Sequence, residues 1–103
     1  MALLEIHLQK GFELDDVIVR VNGNEVVEYL AVTTNTATGL AKVIRADAPE
    51  GQVTVRLAVP SRGIVEDIHV DASRTPYVGI GLAPSGERLE TRLTASPFDY
   101  PRQ

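Results

Sequence analysis

Two histidines are the side chains in this sequence best suited to bind a metal ion or to transfer a proton. His7 lies near the start of the chain, and His69 lies between Asp67 and Asp71. A metal site would form if the strand that carries His7 lay beside the strand that carries His69. Protein zinc sites usually show ligands at short, characteristic spacings, and no such spacing occurs here. We therefore interpret both histidines as surface residues, and we expect no metal and no other cofactor.

The serines that could act as nucleophiles have no motif to support them. Ser61 or Ser73 could be combined with His69 and Asp71 into a nucleophile, a base and an orienting acid. The G-x-S-x-G turn that presents such a serine in α/β-hydrolases is missing. No stretch of acidic residues has the spacing of an EF-hand calcium loop. A small enzyme or metal protein built around His69, Asp71 and Arg74 is therefore the weakest of three functional hypotheses.

Length and composition predict one globular domain covering residues 1–103, with 44% hydrophobic and 23% charged residues. The chain has no cysteine, so disulfides and thiolate chemistry are excluded. Its net charge is −4 and its ten lysines and arginines are scattered, so we expect neither nucleic acid nor an anionic membrane as a partner. No apolar run approaches the roughly 20 residues that span a bilayer. The first residues do not resemble a signal peptide, and we expect a cytoplasmic location.

Apolar and polar residues alternate with a period of two along most of the chain, which is typical of half-buried strands. The predicted strands cover residues 3–9, 16–22, 25–32, 40–45, 52–59, 64–70, 77–83 and 87–94. Strands at this density with no helix between them indicate an all-β fold. We predict a two-sheet antiparallel β-sandwich of about seven to eight strands with immunoglobulin-like architecture.

Asn22-Gly23 is the strongest hairpin signal, because both residues tolerate a positive φ. A two-residue turn at Gly23-Asn24 would pair Val19 with Glu28 on the inner face, which is unfavourable for a carboxylate. We therefore favour a three-residue loop, 22–24. This register turns Val27, Tyr29 and Ala31 inward and Glu28 outward.

The last hairpin surrounds Ser85-Gly86. A two-residue turn there pairs Leu82 with Leu89, Ile80 with Thr91 and Val78 with Leu93, all expected to face inward. The same register pairs Gly81 with Glu90 and Gly79 with Arg92 on the outer face. One register thus satisfies both faces of the hairpin.

Two features suggest an interaction face. The third and fourth strands carry apolar residues on both faces, so one face needs a second subunit or the loop 33–39 to cover it. The strip formed by Gly79 and Gly81 exposes flat backbone, which often marks close approach by a ligand or another chain. Cover by Tyr77, Phe98 or Tyr100 of the same chain is the simpler explanation of the strip. The predicted interaction face comprises Val27, Tyr29, Leu30, Val32, Gly79, Gly81, Glu90 and Arg92.

Several segments give the chain a family resemblance. The alternating valines that follow Phe12 end at Asn22-Gly23, and Thr33-Thr34-Asn35 precedes Gly39-Leu40-Ala41. The chain closes with Tyr77-Val78-Gly79-Ile80 and with Ser96-Pro97-Phe98-Asp99-Tyr100. In these segments it resembles small bacterial proteins of immunoglobulin-like or transthyretin-like sandwich architecture. The resemblance implies a fold and a C-terminal aromatic clasp, and it transfers no functional residues.

These observations favour a non-enzymatic binding or interaction module that holds a protein partner, or a second copy of itself, on a sheet face or on loops at strand ends. The alternative from another class is a structural homodimer, or an accessory subunit of a larger assembly without a ligand of its own.

Overall fold

The computed structural model describes residues 1–100 and contains eight strands and one short 3-10 turn, Pro60–Arg62. The strands are β1 (Ala2–Leu8), β2 (Asp15–Val21), β3 (Asn24–Val32), β4 (Lys42–Ala48), β5 (Gln52–Val59), β6 (Ile64–Asp71), β7 (Tyr77–Leu82) and β8 (Leu89–Thr94). They form two four-stranded sheets. The first sheet has the order β4-β1-β7-β8 and the second has the order β3-β2-β5-β6. The predicted all-β sandwich is confirmed.

Strand pairing is antiparallel throughout both sheets except between β1 and β7, which run parallel. The expectation of a wholly antiparallel sandwich is therefore corrected at this one pair. Immunoglobulin constant domains keep their first two strands in one sheet, whereas β1 and β2 lie in different sheets here. The structure thus shows a two-layer β-sandwich whose strand order differs from that of an immunoglobulin constant domain.

The core lies between the inner faces of the two sheets, as strand alternation requires. Each sheet contributes fully buried aliphatic side chains, and Phe12 is buried in the same core. The largest fully buried side chains are Leu4, Ile6, Leu8, Leu57 and Ile80. Across residues 1–100, no helix is long or apolar enough to cross a membrane.

The hairpin between β2 and β3 has a two-residue turn rather than the predicted three-residue loop. Asn22 and Gly23 both have positive φ, 49° and 83°, as a type I′ turn requires. Val21 pairs with Asn24, and a bulge beside Arg20 then brings Val27 opposite Val19. The bulge therefore restores the predicted register, with Glu28 opposite Ile18 on the outer face.

A second bulge near the end of β3 overturns the predicted orientation of its last residues. Between the pairs Val17–Tyr29 and Asp15–Val32 the strand carries one extra residue, and Ala31 adopts a φ of 54°. The Ala31 amide donates to the Asp16 carboxylate. Ala31 is consequently exposed, and Val32, only 1% exposed, belongs to the core.

The β7–β8 hairpin has the predicted register. Leu82 pairs with Leu89, Val78 with Leu93 and Gly79 with Arg92. The pairing puts Thr91 and Leu93 on the same face as Ile80 and Val78, as predicted, but only the β7 residues and Leu89 are buried there. Leu93 is 39% exposed and Thr91 is also exposed, because β8 is the edge strand of its sheet.

A buried ion pair joins the start of β2 to the 3-10 turn. The Arg62 guanidinium donates to both carboxylate oxygens of Asp15, from Nε at 2.8 Å and from Nη2 at 3.1 Å. Burial alone would raise the pKa of Asp15, but hydrogen bonds from Arg62 and from the Glu13 amide outweigh it and lower that pKa below its usual value.

Candidate binding cleft on the first sheet

Outward-facing side chains of β1, β7 and β8 form two parallel rows on the first sheet. The parallel register places Gly79 beside His7, and the antiparallel register places Arg92 on the other side of Gly79. The next row joins Gly81 to Glu90. The chemistry of this face is therefore supplied by the flanking strands, since β7 contributes glycine in both rows.

Gly79 and Gly81 form the floor of this face. A Cβ at Gly79 would lie 2.7 Å from Gln9 Oε1 and 2.9 Å from Phe98 Cζ. A Cβ at Gly81 would lie 2.9 Å from Lys10 Cγ. Neither glycine has a positive φ, so backbone conformation does not demand glycine there. Glycine is required at both positions because neighbouring side chains pack directly onto the backbone of β7 and leave no room for a Cβ.

The tail that follows β8 lies across the first of these rows. The Phe98 ring contacts His7 edge-on with centroids 5.1 Å apart. The Arg92 guanidinium lies 5.0 Å from the Phe98 centroid, within cation–π range. Cover of the glycine strip by an aromatic residue of the same chain is thus confirmed at Gly79. The sequence predicts that the whole tail, residues 96–103, lies across the sheet rather than extending it, and of this tail residues 101–103 lie outside the described part of the chain.

Tyr100 anchors the tail through a directional chain of hydrogen bonds. Its hydroxyl lies 2.7 Å from His7 Nδ1, and His7 Nε2 lies 3.0 Å from Glu5 Oε1. The carboxylate can only accept, so Nε2 carries the hydrogen, and in a neutral imidazole Nδ1 accepts from the tyrosine hydroxyl. Gln9 Nε2 donates to the same hydroxyl at 2.9 Å.

This chain of carboxylate, imidazole and hydroxyl is closed to substrate. His7 is 5% exposed, both of its ring nitrogens have partners, and the Tyr100 ring stacks on it at 5.7 Å. Burial raises the pKa of Tyr100, so its hydroxyl stays protonated at neutral pH. The arrangement is suited to fixing the tail and gives no activated nucleophile.

A cleft of about 560 Å³ opens beside the tail, over the second row. Its lining comprises Gln9, Lys10, Thr38, Gly39, Gly81, Glu90, Arg92, Asp99 and Tyr100. This volume falls within the roughly 300–1,000 Å³ typical of small-molecule sites. The cleft has a backbone floor at Gly81, one wall from β8 and another from the tail.

The charges in the cleft differ in whether they are already paired. Lys10 Nζ lies 2.8 Å from Glu90 Oε1, and this hydrogen bond lowers the pKa of Glu90. Within residues 1–100, neither Arg92 nor Asp99 forms an ion pair. One guanidinium and one carboxylate therefore remain available in the same cleft for groups of opposite charge.

The other half of the predicted interaction face, on β3, is dispersed. Val27 and Tyr29 are half-buried against the core, and Lys42 Nζ lies 5.2 Å from the Tyr29 ring centroid. Leu30 is 71% exposed, whereas Val32 lies in the core and cannot contribute to a surface. Leu30 is therefore the predicted β3 residue that stands clear of the core.

The outer face of the second sheet has an apolar part and a charged part. The register aligns Ile18 with Ala58 and Ala58 with Val65. The β3 residue in this row is Glu28, and Leu30 lies two residues further along β3. We call Ile18, Leu30, Ala58 and Val65 the apolar strip, in which Ala58 is buried and Leu30 and Val65 are exposed. Two residues along, Arg20 lies opposite Arg56, which makes a two-bond pair with Asp67 at 2.7 Å and 3.0 Å.

The two histidines of the metal hypothesis lie on different sheets. His7 lies on β1 of the first sheet and His69 on β6 of the second, so the required neighbouring strands do not exist. The Asp71 carboxylate accepts from the amides of Ser73 and Arg74, which caps the turn after β6. Within residues 1–100, no group of three or more histidines and carboxylates is placed to hold a metal ion.

Sequence reasoning identified Gly81, Glu90 and Arg92 but missed most of the cleft lining. The additional residues are Gln9, Lys10, Thr38, Gly39, Asp99 and Tyr100. The parallel pairing of β1 with β7, which brings residues 9 and 10 beside Gly81, has no local signal in the sequence. The two closely spaced aromatic residues of the tail were the usable signal for its wall.

Comparison with known proteins adds no further information. No protein-family model matches the chain, and neither a curated protein nor a solved structure matches it.

Proposed function

We propose that the protein is a non-enzymatic binding domain whose ligand site is the cleft between β8 and the C-terminal tail. The observation that carries this proposal is a concave site with a backbone floor that contains Arg92 and Asp99, neither of which forms an ion pair within residues 1–100. A small ligand that carries both a carboxylate and an ammonium group matches them. The carboxylate would meet Arg92, and the ammonium group would meet Asp99.

Preorganisation supports Arg92 as the anion-binding group. Its guanidinium rests on the Phe98 ring, which is itself packed on Gly79 and His7. A side chain held in this way loses less conformational entropy when it binds a ligand. The edge of a stacked guanidinium remains free to form two parallel hydrogen bonds with a carboxylate.

A titration followed by amide NMR tests the proposal. The probes are leucine, which has both charged groups, and acetate and ethylammonium, which have one each. We expect leucine to shift the amide signals of Gly39, Gly81 and Glu90 more than either of the other probes does. Arg92→Ala should abolish the shifts, and Arg88→Ala, an exposed arginine of the same hairpin outside the cleft, should preserve them. Absence of shifts at the cleft with all three probes would overturn the proposed site.

Self-association is the second candidate function, and the apolar strip favours it. Leu30 and Val65 are 71% and 61% exposed on the open face of the second sheet. Large exposed apolar groups on one face are typical of protein interfaces. Native mass spectrometry over a range of protein concentrations separates the candidates. A dimer without added mass favours the structural role, whereas a monomer with a defined added mass favours the binding domain.

We also propose that the fold belongs to the transthyretin-like branch of the resemblance. The strand order β4-β1-β7-β8 and β3-β2-β5-β6, with β1 parallel to β7, supports this branch over the immunoglobulin-like one. An experimental structure tests the assignment. Pairing of β1 with β2 in one sheet would contradict it.

A further inference from the structure

The C-terminal tail fills a groove that is shaped for two aromatic side chains. Phe98 sits where Gly79 lacks a Cβ, between the His7 ring and the Arg92 guanidinium. Since Gly79 has an ordinary extended φ, its lack of a side chain is explained by the room that Phe98 and Gln9 need. We call the surface formed by His7, Gln9, Gly79 and Arg92 the tail groove.

The second aromatic position selects for tyrosine. The Tyr100 hydroxyl accepts from Gln9 and donates to His7 Nδ1, whose orientation is fixed by Glu5. Phenylalanine in this position would leave the buried imidazole nitrogen without a donor, which is unfavourable. The tail groove therefore recognises the pattern phenylalanine, any residue, tyrosine.

Most of the tail is held by its side chains. Among residues 1–100, no backbone–backbone hydrogen bond joins residues 96–100 to the sheet, and the tail does not extend either sheet as a strand. The Ser96 carbonyl accepts a hydrogen bond from the Thr94 hydroxyl at the end of β8, which fixes the start of the tail. Ala95, Ser96 and Pro97, which connect it to β8, are exposed. A segment attached in this way can leave without disturbing the ladders or the core.

We propose that the tail is an intramolecular occupant of a peptide-docking groove, and that a partner protein binds there through an extended segment with the same Phe-x-Tyr pattern, displacing the tail. The inference goes beyond the cleft ligand proposed above and stands whether or not the cleft binds a small zwitterion. The tail would then act as an autoinhibitory contact. Its tether gives it an effective concentration in the millimolar range, which a partner segment must overcome.

Binding of a labelled peptide to the full chain tests this proposal. The probe is a fluorescein-labelled peptide with the sequence of residues 95–103, and the control peptide has alanine in place of its phenylalanine and tyrosine. Fluorescence anisotropy compares the wild type with the double variant Phe98→Ala/Tyr100→Ala. We expect the double variant to bind the probe at least about tenfold more tightly than the wild type does, because its own tail no longer competes. The control peptide should bind to neither protein.

Tyr100→Phe keeps the proposal testable if the double variant does not fold, since it removes one hydroxyl and keeps both rings. We expect its probe affinity to lie between those of the wild type and the double variant. Adding Gly79→Leu to the double variant should abolish binding by filling the groove.

Three results would overturn the proposal. One is a folded double variant that does not bind the probe, and another is equal probe affinity in the wild type and the double variant. The third is a concentration-dependent dimer of the wild type that is lost in the double variant, which would assign the groove to the tail of a second copy instead of a separate partner.

Discussion

The two outer faces of the sandwich differ in how far the chain itself covers them. On the first sheet, the chain covers its own surface: the tail buries His7 to 5% exposure and leaves a cleft at its border. On the second sheet, Leu30 and Val65 of the apolar strip stay mostly exposed. The covered face is built from glycines and a directed hydrogen-bond chain, whereas the open face combines aliphatic side chains with cross-strand ion pairs.

This difference suits the two faces to two kinds of contact, one specific and one general. Recognition on the covered face depends on shape and on hydrogen-bond direction, which suit it to a defined ligand or segment. The open face offers apolar area without fixed polar partners, which suits it to contact with another flat surface. Substitutions at matched residues, one covered and one open, can break or sharpen this contrast.

The largest effect on stability is expected from a comparison of the two arginine–aspartate pairs, one of which is more buried than the other. The Asp15 and Arg62 side chains are 4% and 28% exposed, whereas those of Arg56 and Asp67 are 51% and 38% exposed. Asp15→Asn leaves the partly buried Arg62 guanidinium without its counter-charge, and we expect the free energy of unfolding to fall by about 2 to 3 kcal/mol. Asp67→Asn, the matched control, should have a much smaller effect because water screens its pair. Equal losses in urea denaturation would show that burial does not distinguish the pairs.

The histidines give the next contrast. His7→Ala removes the acceptor of the Tyr100 hydroxyl and the donor to Glu5, both in a buried setting. We expect a loss of about 2 kcal/mol in the free energy of unfolding. His69 is exposed and makes one long contact, 3.4 Å from Thr54 Oγ1, so His69→Ala should change stability by less than about 0.5 kcal/mol. If His7→Ala were equally neutral, the hydrogen-bond chain would not hold the tail.

Acid should weaken the buried ion pair in a predictable direction. The pKa of Asp15 is lowered in the folded protein from its ordinary 3.8, so the folded state favours the ionised form. The resulting stability is fully present above pH 3.8 and is lost as the pH falls through the lower folded-state pKa. The difference in unfolding free energy between the wild type and Asp15→Asn should therefore shrink below about pH 4. A difference that stays constant down to pH 2 would contradict the assignment of the pair to an ionised Asp15.

Local pattern predicted most of the fold because the sandwich core depends on alternation. The β7–β8 register could be read from the sequence since one pairing satisfies both faces, from Leu82–Leu89 to Gly79–Arg92. The prediction from alternation failed at the bulges. The extra residue near Ala31 reverses the faces of Ala31 and Val32, and it depends on a tertiary hydrogen bond to Asp16. A period-two pattern has no means of indicating it.

The candidate site was predicted only in part, because only some of its residues are neighbours through local register. Gly81, Glu90 and Arg92 belong to a hairpin, so their neighbourhood follows from local register. Gln9 and Tyr100 enter the site through a parallel pairing and a tail docking that join residues far apart in the chain. Such contacts are selected by how the whole sandwich closes, and no short segment encodes them.

The smallest effect on stability is expected from a substitution in the apolar strip. This substitution compares the open face with the covered face most directly. Leu30→Ser removes a side chain that is already 71% exposed, so the free energy of unfolding should change by less than about 0.5 kcal/mol. If the open face mediates self-association, the same substitution should shift the monomer–dimer equilibrium towards monomer in sedimentation-velocity experiments. Leu3→Ser is the matched control, because Leu3 is also exposed, at 52%, but lies on β1 of the other sheet. Equal effects of the two substitutions on assembly would mean that the strip has no special role, since general surface hydrophobicity would then explain any association.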